Sequence, residues 1–150
     1  TKVSVIVGVD PSAAMQKLAQ QRAAEISIPV EMIALELGQI QAADASFDSI
    51  VCTFTLCTIP DALAALHEMR RVLKPGGRLL FCEHGRAPEL PVLRWQNRLT
   101  PLWKPLAGGC HLNRDIPALI TAGGFQIGEL SNRYLKGPKP MTYIYQGWAD

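Results

Sequence analysis

Two strand-sized apolar runs separated by a helical segment constrain this chain more than any other feature. Residues 47–54 are almost continuously apolar, as are residues 78–83, and such runs are typical of strands covered on both faces. Between them, Pro60 and Asp61 open a segment in which apolar residues recur every three or four positions, which predicts a helix with one buried face. A strand, a helix and a strand joined in this way form a parallel crossover. We therefore expect a layered α/β sheet with residues 47–54 as a central strand.

The segment before this unit also alternates between strand and helix patterns. Residues 3–9 are rich in valine and isoleucine, Pro11 stops strand pairing, and Ser12 is a suitable cap for a helix over 13–25. Residues 30–35 are a second, weaker strand candidate. The first half of the chain thus predicts the order β-α-β-β-α-β.

Residues 85–112 interrupt the alternation. They contain four prolines and two tryptophans, with a helix predicted near 92–99. We interpret residues 85–112 as a lid or acceptor-binding insertion. For the apolar residues in 91–107 we leave two alternatives open besides an acceptor pocket: packing within the lid and peripheral contact with a membrane.

The C-terminal segments predict a helix and two strands. Asn113 is a suitable cap for a helix over 113–122. Residues 125–130 and 141–148 are strand-like, and the connection between them is too short for a helical crossover, so we expect antiparallel pairing. We expect residues 1–150 to form one domain.

Composition narrows the classes of partner. The 15 basic and 13 acidic residues are dispersed, and no basic tract is interleaved with aromatic residues, so we expect no nucleic-acid partner. Apolar runs stay far below the roughly 20 residues of a spanning helix, and the start does not resemble a secretory signal, so we expect a cytoplasmic location. The four cysteines form no C-x-x-C pair and the three histidines lie far apart, which indicates reduced thiols and no metal site. The oligomeric state stays open.

The residues that follow the predicted strands are the candidate ligand contacts, because a doubly wound sheet binds ligands beyond the carboxyl ends of its strands. Asp10 follows the first strand, Glu36 the second and Thr53 the third, and Glu83 and His84 end the fourth. A carboxylate placed like that of Asp10 can accept hydrogen bonds from both hydroxyls of a ribose. Together the four ends outline a nucleoside-shaped cleft.

Structural roles for the same residues also stay open. Asp10 could cap the following helix, Glu36 could be a solvated loop acid, and Thr53 could simply end a strand. His84 and His111 could be hydrogen-bonded structural histidines.

The middle of the chain resembles the class I S-adenosylmethionine-dependent methyltransferases. The resemblance extends over essentially the whole chain and is carried by Phe47-Asp48-Ser49-Ile50-Val51, then Leu56, then Pro60-Asp61, and then Arg71-Val72-Leu73-Lys74-Pro75-Gly76-Gly77-Arg78-Leu79. Within that family the chain is similar to the quinone-biosynthesis C-methyltransferases. It is more similar to the small methyltransferase-like thiol methyltransferases, whose pattern is matched by Val51-Cys52-Thr53, Glu83-His84 and residues 109–114.

The resemblance implies a fold and a cofactor. The fold is a Rossmann-like α/β sheet, mostly parallel with an antiparallel C-terminal strand, and the cofactor is S-adenosylmethionine. The implied cofactor contacts are Asp10 and Pro11 at the ribose, Glu36 and Leu37 at the adenine, and Thr53, Phe54 and Leu56 near the methionine part.

The glycine-rich cofactor loop of this family is not found in the chain. In the family, an acidic-x-Gly-x-Gly loop follows the first strand and lets the backbone approach the cofactor closely. Nothing of that type precedes Asp10. We therefore expect the family's first strand and helix to be missing here, and the domain to be incomplete at its N-terminus.

The resemblance implies transfer of a methyl group from S-adenosylmethionine to a small, apolar acceptor such as a thiol or a quinol precursor. His84 and Glu83 are the candidates for a general base, and Trp95 and His111 for contacts with the acceptor. Two alternatives remain. One is a nicotinamide-dependent oxidoreductase, which shares the ribose-binding acid, and the other is a non-catalytic methyltransferase-like module.

Overall fold

The chain divides into two compact units. The structure is a computed structural model that describes residues 3–33, 35–36 and 38–150. The N-terminal unit comprises residues 1–43 and the C-terminal unit residues 44–150.

The N-terminal unit contains the predicted strand, helix and strand. Its elements are β1 (Ile6–Val9), α1 (Ala13–Ala23), β2 (Val30–Ile33), β3 (Leu35–Glu36) and β4 (Gln39–Ile40). Strands β1 and β2 pair in parallel, and β3 and β4 form a short antiparallel pair. The hydroxyl of Ser12 accepts the N–H of Met15, so Ser12 caps α1 as expected.

The C-terminal unit is built on a four-stranded sheet. Its elements are β5 (Phe47–Thr53), α2 (Ala62–Val72), β6 (Leu73–His84), α3 (Leu90–Leu106), α4 (Ile116–Ala122), β7 (Ile127–Tyr134), a 3-10 turn (Lys139–Met141) and β8 (Tyr143–Ala149). The strand order is β5-β6-β8-β7. Strands β5 and β6 are parallel, with α2 as the crossover, and β8 is antiparallel to both of its neighbours. The expected antiparallel pairing of the last two strands is confirmed.

One face of this sheet carries the core. Cys52, Leu79 and Phe81 of the sheet pack with Leu66 of α2 and with residues of α4. Burial of these side chains contributes about 25 cal/mol per Å² of apolar surface removed from water. Helices α2 and α4 thereby fix the parallel pair β5-β6 from one side.

The expectation of a central strand covered on both faces does not hold for β5 within the C-terminal unit. In the sheet formed by the described residues of that unit, β5 lies at an edge. Val51 is 72% exposed because it points away from the face that α2 and α4 cover. An apolar run alone does not reveal which neighbours a strand has.

The Pro75-Gly76-Gly77 segment is part of a strand and does not form a separate turn after α2. Strand β6 begins at Leu73, so the segment lies within the strand, beside an irregularity in the pairing register with β5. Gly77 approaches β5 so closely that a Cβ there would stand 2.9 Å from the carbonyl oxygen of Asp48. Glycine is therefore required at position 77 for the two strands to meet.

Helix α3 is longer than the predicted helix over 92–99 and continues through two internal prolines. Gln96, which is fully buried, fastens it to the rest of the unit. The side-chain oxygen of Gln96 accepts the N–H of Ala87 at 2.9 Å, and its amide nitrogen donates to the carbonyls of Gly85 at 3.1 Å and Pro140 at 3.2 Å. Tertiary hydrogen bonds hold this helix in place.

Helix α4 begins later than expected. Its cap is Asp115, whose carboxylate accepts the N–H of Ala118 at 3.2 Å. Asn113 does not cap the helix, because its amide donates to the side chain of Asn97 at 2.8 Å. Asn113 therefore ties the loop before α4 to α3.

Candidate functional site

Asp10 ends the first strand of the N-terminal unit, as predicted. Its Oδ1 accepts the N–H of Ser12 at 2.7 Å, so one carboxylate oxygen shapes the turn into α1. The cap itself is Ser12. The other oxygen of Asp10 makes no hydrogen bond to the described residues and can serve a ligand. Pro11 follows and is exposed.

The two residues predicted to contact the adenine are only partly covered by the structure. Glu36 belongs to β3, but its side chain is not described, and Leu37 lies outside the described residues. Their proposed contacts stay predictions.

In the C-terminal unit, the carboxyl ends of β5 and β6 lie side by side. Thr53 at the end of β5 is exposed and lies opposite Cys82 on β6. Phe54 follows with a φ of 49°, in the left-handed region that side chains other than glycine rarely adopt. Its N–H donates to the carbonyl of Cys82 at 2.9 Å, and the residue is 53% exposed. Backbone strain of this kind concentrates at functional sites.

Glu83 fixes the loop that follows β5. It is fully buried, and its two carboxylate oxygens accept the backbone N–H groups of Thr55 at 2.9 Å and Cys57 at 3.1 Å. The thiol of Cys52 donates to the same carboxylate at 3.5 Å. Bonds between an ionised carboxylate and backbone N–H groups are stronger than neutral ones. The geometry gives Glu83, one of the two predicted candidates for a general base, the contacts of a positioning residue.

Leu56 and Arg114 extend this anchoring. The side chain of Leu56 lies in the core, and its carbonyl accepts a hydrogen bond from the guanidinium of Arg114. Arg114 also donates to the carbonyls of Ile59 at 2.6 Å and Pro60 at 3.3 Å. One side chain thus holds three carbonyls of the loop after β5. Sequence reasoning gave Arg114 no role, although it lies in the run that carried the resemblance to thiol methyltransferases.

A cavity opens beside this loop. Its volume is about 690 Å³, and it is lined by Thr100, Pro101, Lys104, Pro105, Gly109, His111 and Asn113. Gly109 packs so tightly on the loop that a Cβ there would stand 3.1 Å from the carbonyl of Thr58. Most of the surface that these residues expose to the cavity is apolar. The lining includes one cation, Lys104, which forms no ion pair with the described residues.

His111 connects the cavity to the loop. Its backbone N–H donates to the carbonyl of Cys57 at 2.7 Å, and its Nδ1 lies 3.3 Å from the same oxygen. The pKa of His111 lies below its ordinary value, first because the ring is partly buried and then because Arg114 and Lys104 are nearby. The ring is therefore neutral at pH 7.

His84 and Cys110 form a second group near the same loop. His84 is buried, and neither ring nitrogen has a hydrogen-bond partner among the described residues. The nearby Cys57 thiol, and then the ring of His84, lower the pKa of the half-buried Cys110 thiol. Proximity to Cys110 and burial raise the pKa of Cys57. All four cysteines are free thiols.

The two predicted acceptor contacts are not brought together. His111 lines the cavity, whereas Trp95 does not and instead lies exposed on α3 with the guanidinium of Arg98 5.8 Å from its ring centroid. Within the described part of the chain, no cluster of three or more metal-ligating side chains occurs, and no helix is both long and apolar enough to cross a membrane.

Comparisons with known proteins agree with this arrangement. A family model described as "Methyltransferase domain" matches residues 1–81, which is more than half of the chain. A thiol S-methyltransferase of Rattus norvegicus, TMT1B, is 40% identical over 111 residues, covering 71% of this chain and 46% of the relative. A demethylmenaquinone methyltransferase of Lactiplantibacillus plantarum is 35% identical over 106 residues, covering 65% of this chain and 44% of the relative. The chain thus spans less than half the length of these relatives.

The fold comparison points the same way. The crystal structure of a SAM-dependent methyltransferase from Methanosarcina mazei superposes with a TM-score of 0.74 at 21% identity, covering 97% of this chain and 81% of that chain. The Rossmann-like α/β fold and the family resemblance are confirmed. The chain belongs to the class I S-adenosylmethionine-dependent methyltransferases.

Proposed function

We propose that this protein transfers a methyl group from S-adenosylmethionine to a small, apolar thiol. The observation that carries the proposal is the position of the apolar cavity, which directly adjoins the anchored loop after β5 through Gly109 and His111. Ligands of doubly wound sheets bind beyond strand ends such as this one. The acceptor and the donor would then meet at one strand end.

Several residues fit contacts with the cofactor. Asp10 offers a free carboxylate oxygen for the ribose, with Pro11 beside it, and exposed Thr53 and Phe54 suit the methionine part. Glu36 and Leu37 are proposed for the adenine on the resemblance alone. For Leu56 the proposal is restricted to positioning the loop, because its side chain lies in the core. When bound, S-adenosylmethionine supplies an electrophilic methyl group on a sulfonium.

The thiol is favoured as acceptor by the rat relative, whose name specifies that chemistry. The cavity supports the choice, since its walls are mostly apolar and Lys104 can stabilise a developing thiolate. A quinol precursor is the second candidate, because the Lactiplantibacillus plantarum relative is a demethylmenaquinone methyltransferase.

A lipid surface is the proposed partner of α3. Leu102 and Leu106 are 69% and 83% exposed, and Trp95 lies exposed on the same side of the helix. Arg94 and Arg98 are exposed on the same helix and suit anionic headgroups. A membrane contact here would bring apolar acceptors close to the cavity.

Two measurements on the full-length protein test the methyltransferase proposal. Calorimetric titration with S-adenosylhomocysteine should show binding, whereas NAD at the same concentrations should not bind. A labelled methyl donor should label ethanethiol faster than a demethylated quinol precursor. Binding without transfer to any thiol would refute the acceptor class, and absence of binding would refute the methyltransferase activity itself.

A further inference from the structure

The ring of His111 is held in one tautomer by the loop after β5. Its Nδ1 lies 3.3 Å from the carbonyl oxygen of Cys57. A carbonyl oxygen can only accept a hydrogen bond, so Nδ1 carries the hydrogen of the neutral ring. In that tautomer Nε2 bears the lone pair of the neutral ring. The wall of the cavity therefore includes an imidazole with one nitrogen that can accept a proton.

Positive charge surrounds this acceptor. Burial of the ring, and then the charges of Arg114 in the loop before α4 and of Lys104 on α3, lower the pKa of His111. The carbonyls of Cys57 and Gly109 oppose this effect to a smaller extent. The thiols of Cys57 and Cys110 are the other titratable groups of this region. At neutral pH the ring is thus in its unprotonated form, which is the form that a general base needs, and Lys104 is available to stabilise an anion.

We infer that His111 is the general base for methyl transfer, with Lys104 stabilising the acceptor anion as it forms. The inference rests on the proposed function and deepens it. The acceptor sulfur gives its proton to Nε2 of His111 and its electron pair to the methyl carbon. The bond from that carbon to the sulfonium sulfur breaks, and its electron pair stays on the departing sulfur. The proton on Nε2 is then lost to water.

The geometry favours His111 over His84, the other histidine considered for this role. His84 is 5% exposed and does not line the cavity. A general base must come within hydrogen-bond reach of the proton that it removes. Only His111 of the two meets an acceptor that occupies the cavity.

The test is the substitution His111→Asn in the full-length protein. Asparagine places an amide donor near the position of Nδ1, so the bond to Cys57 can persist while the base is lost. The matched control is His67→Asn, the same change at an exposed histidine on α2. The readouts are binding of S-adenosylhomocysteine and the pH profile of kcat/KM for ethanethiol and for the more acidic 4-nitrothiophenol.

The expected result is a loss that depends on the acidity of the acceptor. For ethanethiol at pH 7, His111→Asn should lower kcat/KM by roughly 100-fold or more, the usual contribution of a general base. For 4-nitrothiophenol, which is already ionised, the loss should be below about tenfold, since no proton needs to be removed. The wild-type profile should fall at a pH below the ordinary His pKa, and this limb should vanish in the variant.

Other outcomes separate the inference from the function on which it rests. Equal losses with both thiols, or no loss with ethanethiol, would overturn the role of His111 while leaving methyl transfer intact. A wild-type protein that binds S-adenosylhomocysteine but methylates neither thiol would instead overturn the proposed function. Weaker S-adenosylhomocysteine binding in His111→Asn but not in His67→Asn would indicate a structural role and contradict the inference.

Discussion

The carboxylate of Glu83 accepts the backbone N–H of Thr55 at 2.9 Å, although Glu83 is fully buried. The other oxygen accepts the N–H of Cys57, so the loop between β5 and α2 depends on this one side chain. Without Glu83, these two backbone N–H groups would have no hydrogen-bond partner inside the protein. We propose that the cofactor and the acceptor bind at the end of β5. A carboxylate on the neighbouring strand β6 thus shapes this strand end.

Replacing that carboxylate should destabilise the protein. In Glu83→Gln, one of the two N–H groups faces an amide NH₂ instead of an oxygen, so we expect the free energy of unfolding to fall by about 2–3 kcal/mol. Urea denaturation measures this change. The control is Glu129→Gln at an exposed position on β7, where a change within about 0.5 kcal/mol is expected. An equally small change at Glu83 would contradict the anchoring role.

The left-handed conformation of Phe54 makes a separate prediction. Asparagine tolerates positive φ and valine does not, so Phe54→Val should be less stable than Phe54→Asn by about 1 kcal/mol. Both variants lose the aromatic ring and should bind S-adenosylhomocysteine more weakly than the wild type. Thermal denaturation and calorimetric titration check the two effects. Equal stability of the two variants would show that the backbone at position 54 relaxes in solution.

Cysteine reactivity should differ sharply along the chain. The pKa of Cys110 is lowered by the neighbouring Cys57 thiol and by His84, whereas burial raises the pKa of Cys52 to about 12. The thiolate is the reactive form, so Cys110 should be alkylated by iodoacetamide at pH 7 while Cys52 stays unmodified.

Peptide mapping by mass spectrometry at several pH values measures this difference. Because the pKa of Cys110 is lowered, its alkylation rate should already be on a plateau at pH 7 rather than rise towards pH 9. Cys110→Ser should remove the fast reaction. A rate for Cys110 that keeps rising through pH 8.5, like that of an ordinary thiol, would contradict the prediction.

The proposed membrane contact of α3 predicts binding to anionic vesicles. The full-length protein should sediment with vesicles of phosphatidylserine and phosphatidylcholine, and Leu102→Ser with Leu106→Ser should weaken this binding by roughly tenfold or more, because two exposed apolar side chains are lost. Leu130→Ser, at an exposed position on β7, is the control. Wild-type protein that stays in the supernatant would exclude this partner.

The α/β class and the last two strands could be predicted because their signals are local. Strands β5 and β8 and the capped helices α1 and α2 lie close to the positions that apolar spacing and the residues Ser12 and Asp61 indicate. The late start of α4 could not be predicted, since Asn113 and Asp115 are both suitable caps and the choice depends on the contact between Asn113 and Asn97.

The candidate site divides in the same way. Asp10, Thr53, Glu83 and His84 could be named as candidates because each follows or ends an apolar run, and the sequence shows where such runs end. The loop contacts of Glu83 and His111 were not visible, because Glu83 accepts the N–H of Thr55 and His111 contacts the carbonyl of Cys57 across 28 and 54 positions of the chain. Such pairs leave no local pattern.

The sequence by itself determined the order of strands and helices and the family, because apolar periodicity and short motifs act over a few neighbouring residues. Only the tertiary structure decided that Glu83 anchors a loop, that Arg114 binds three carbonyls and that His111 lines the cavity with Nδ1 beside the carbonyl of Cys57. These assignments depend on the direction of side chains across strands β5 and β6 and on the packing of the loop between α3 and α4. Side-chain direction and packing are set by contacts between residues that are distant in the sequence, so local sequence patterns do not predict them.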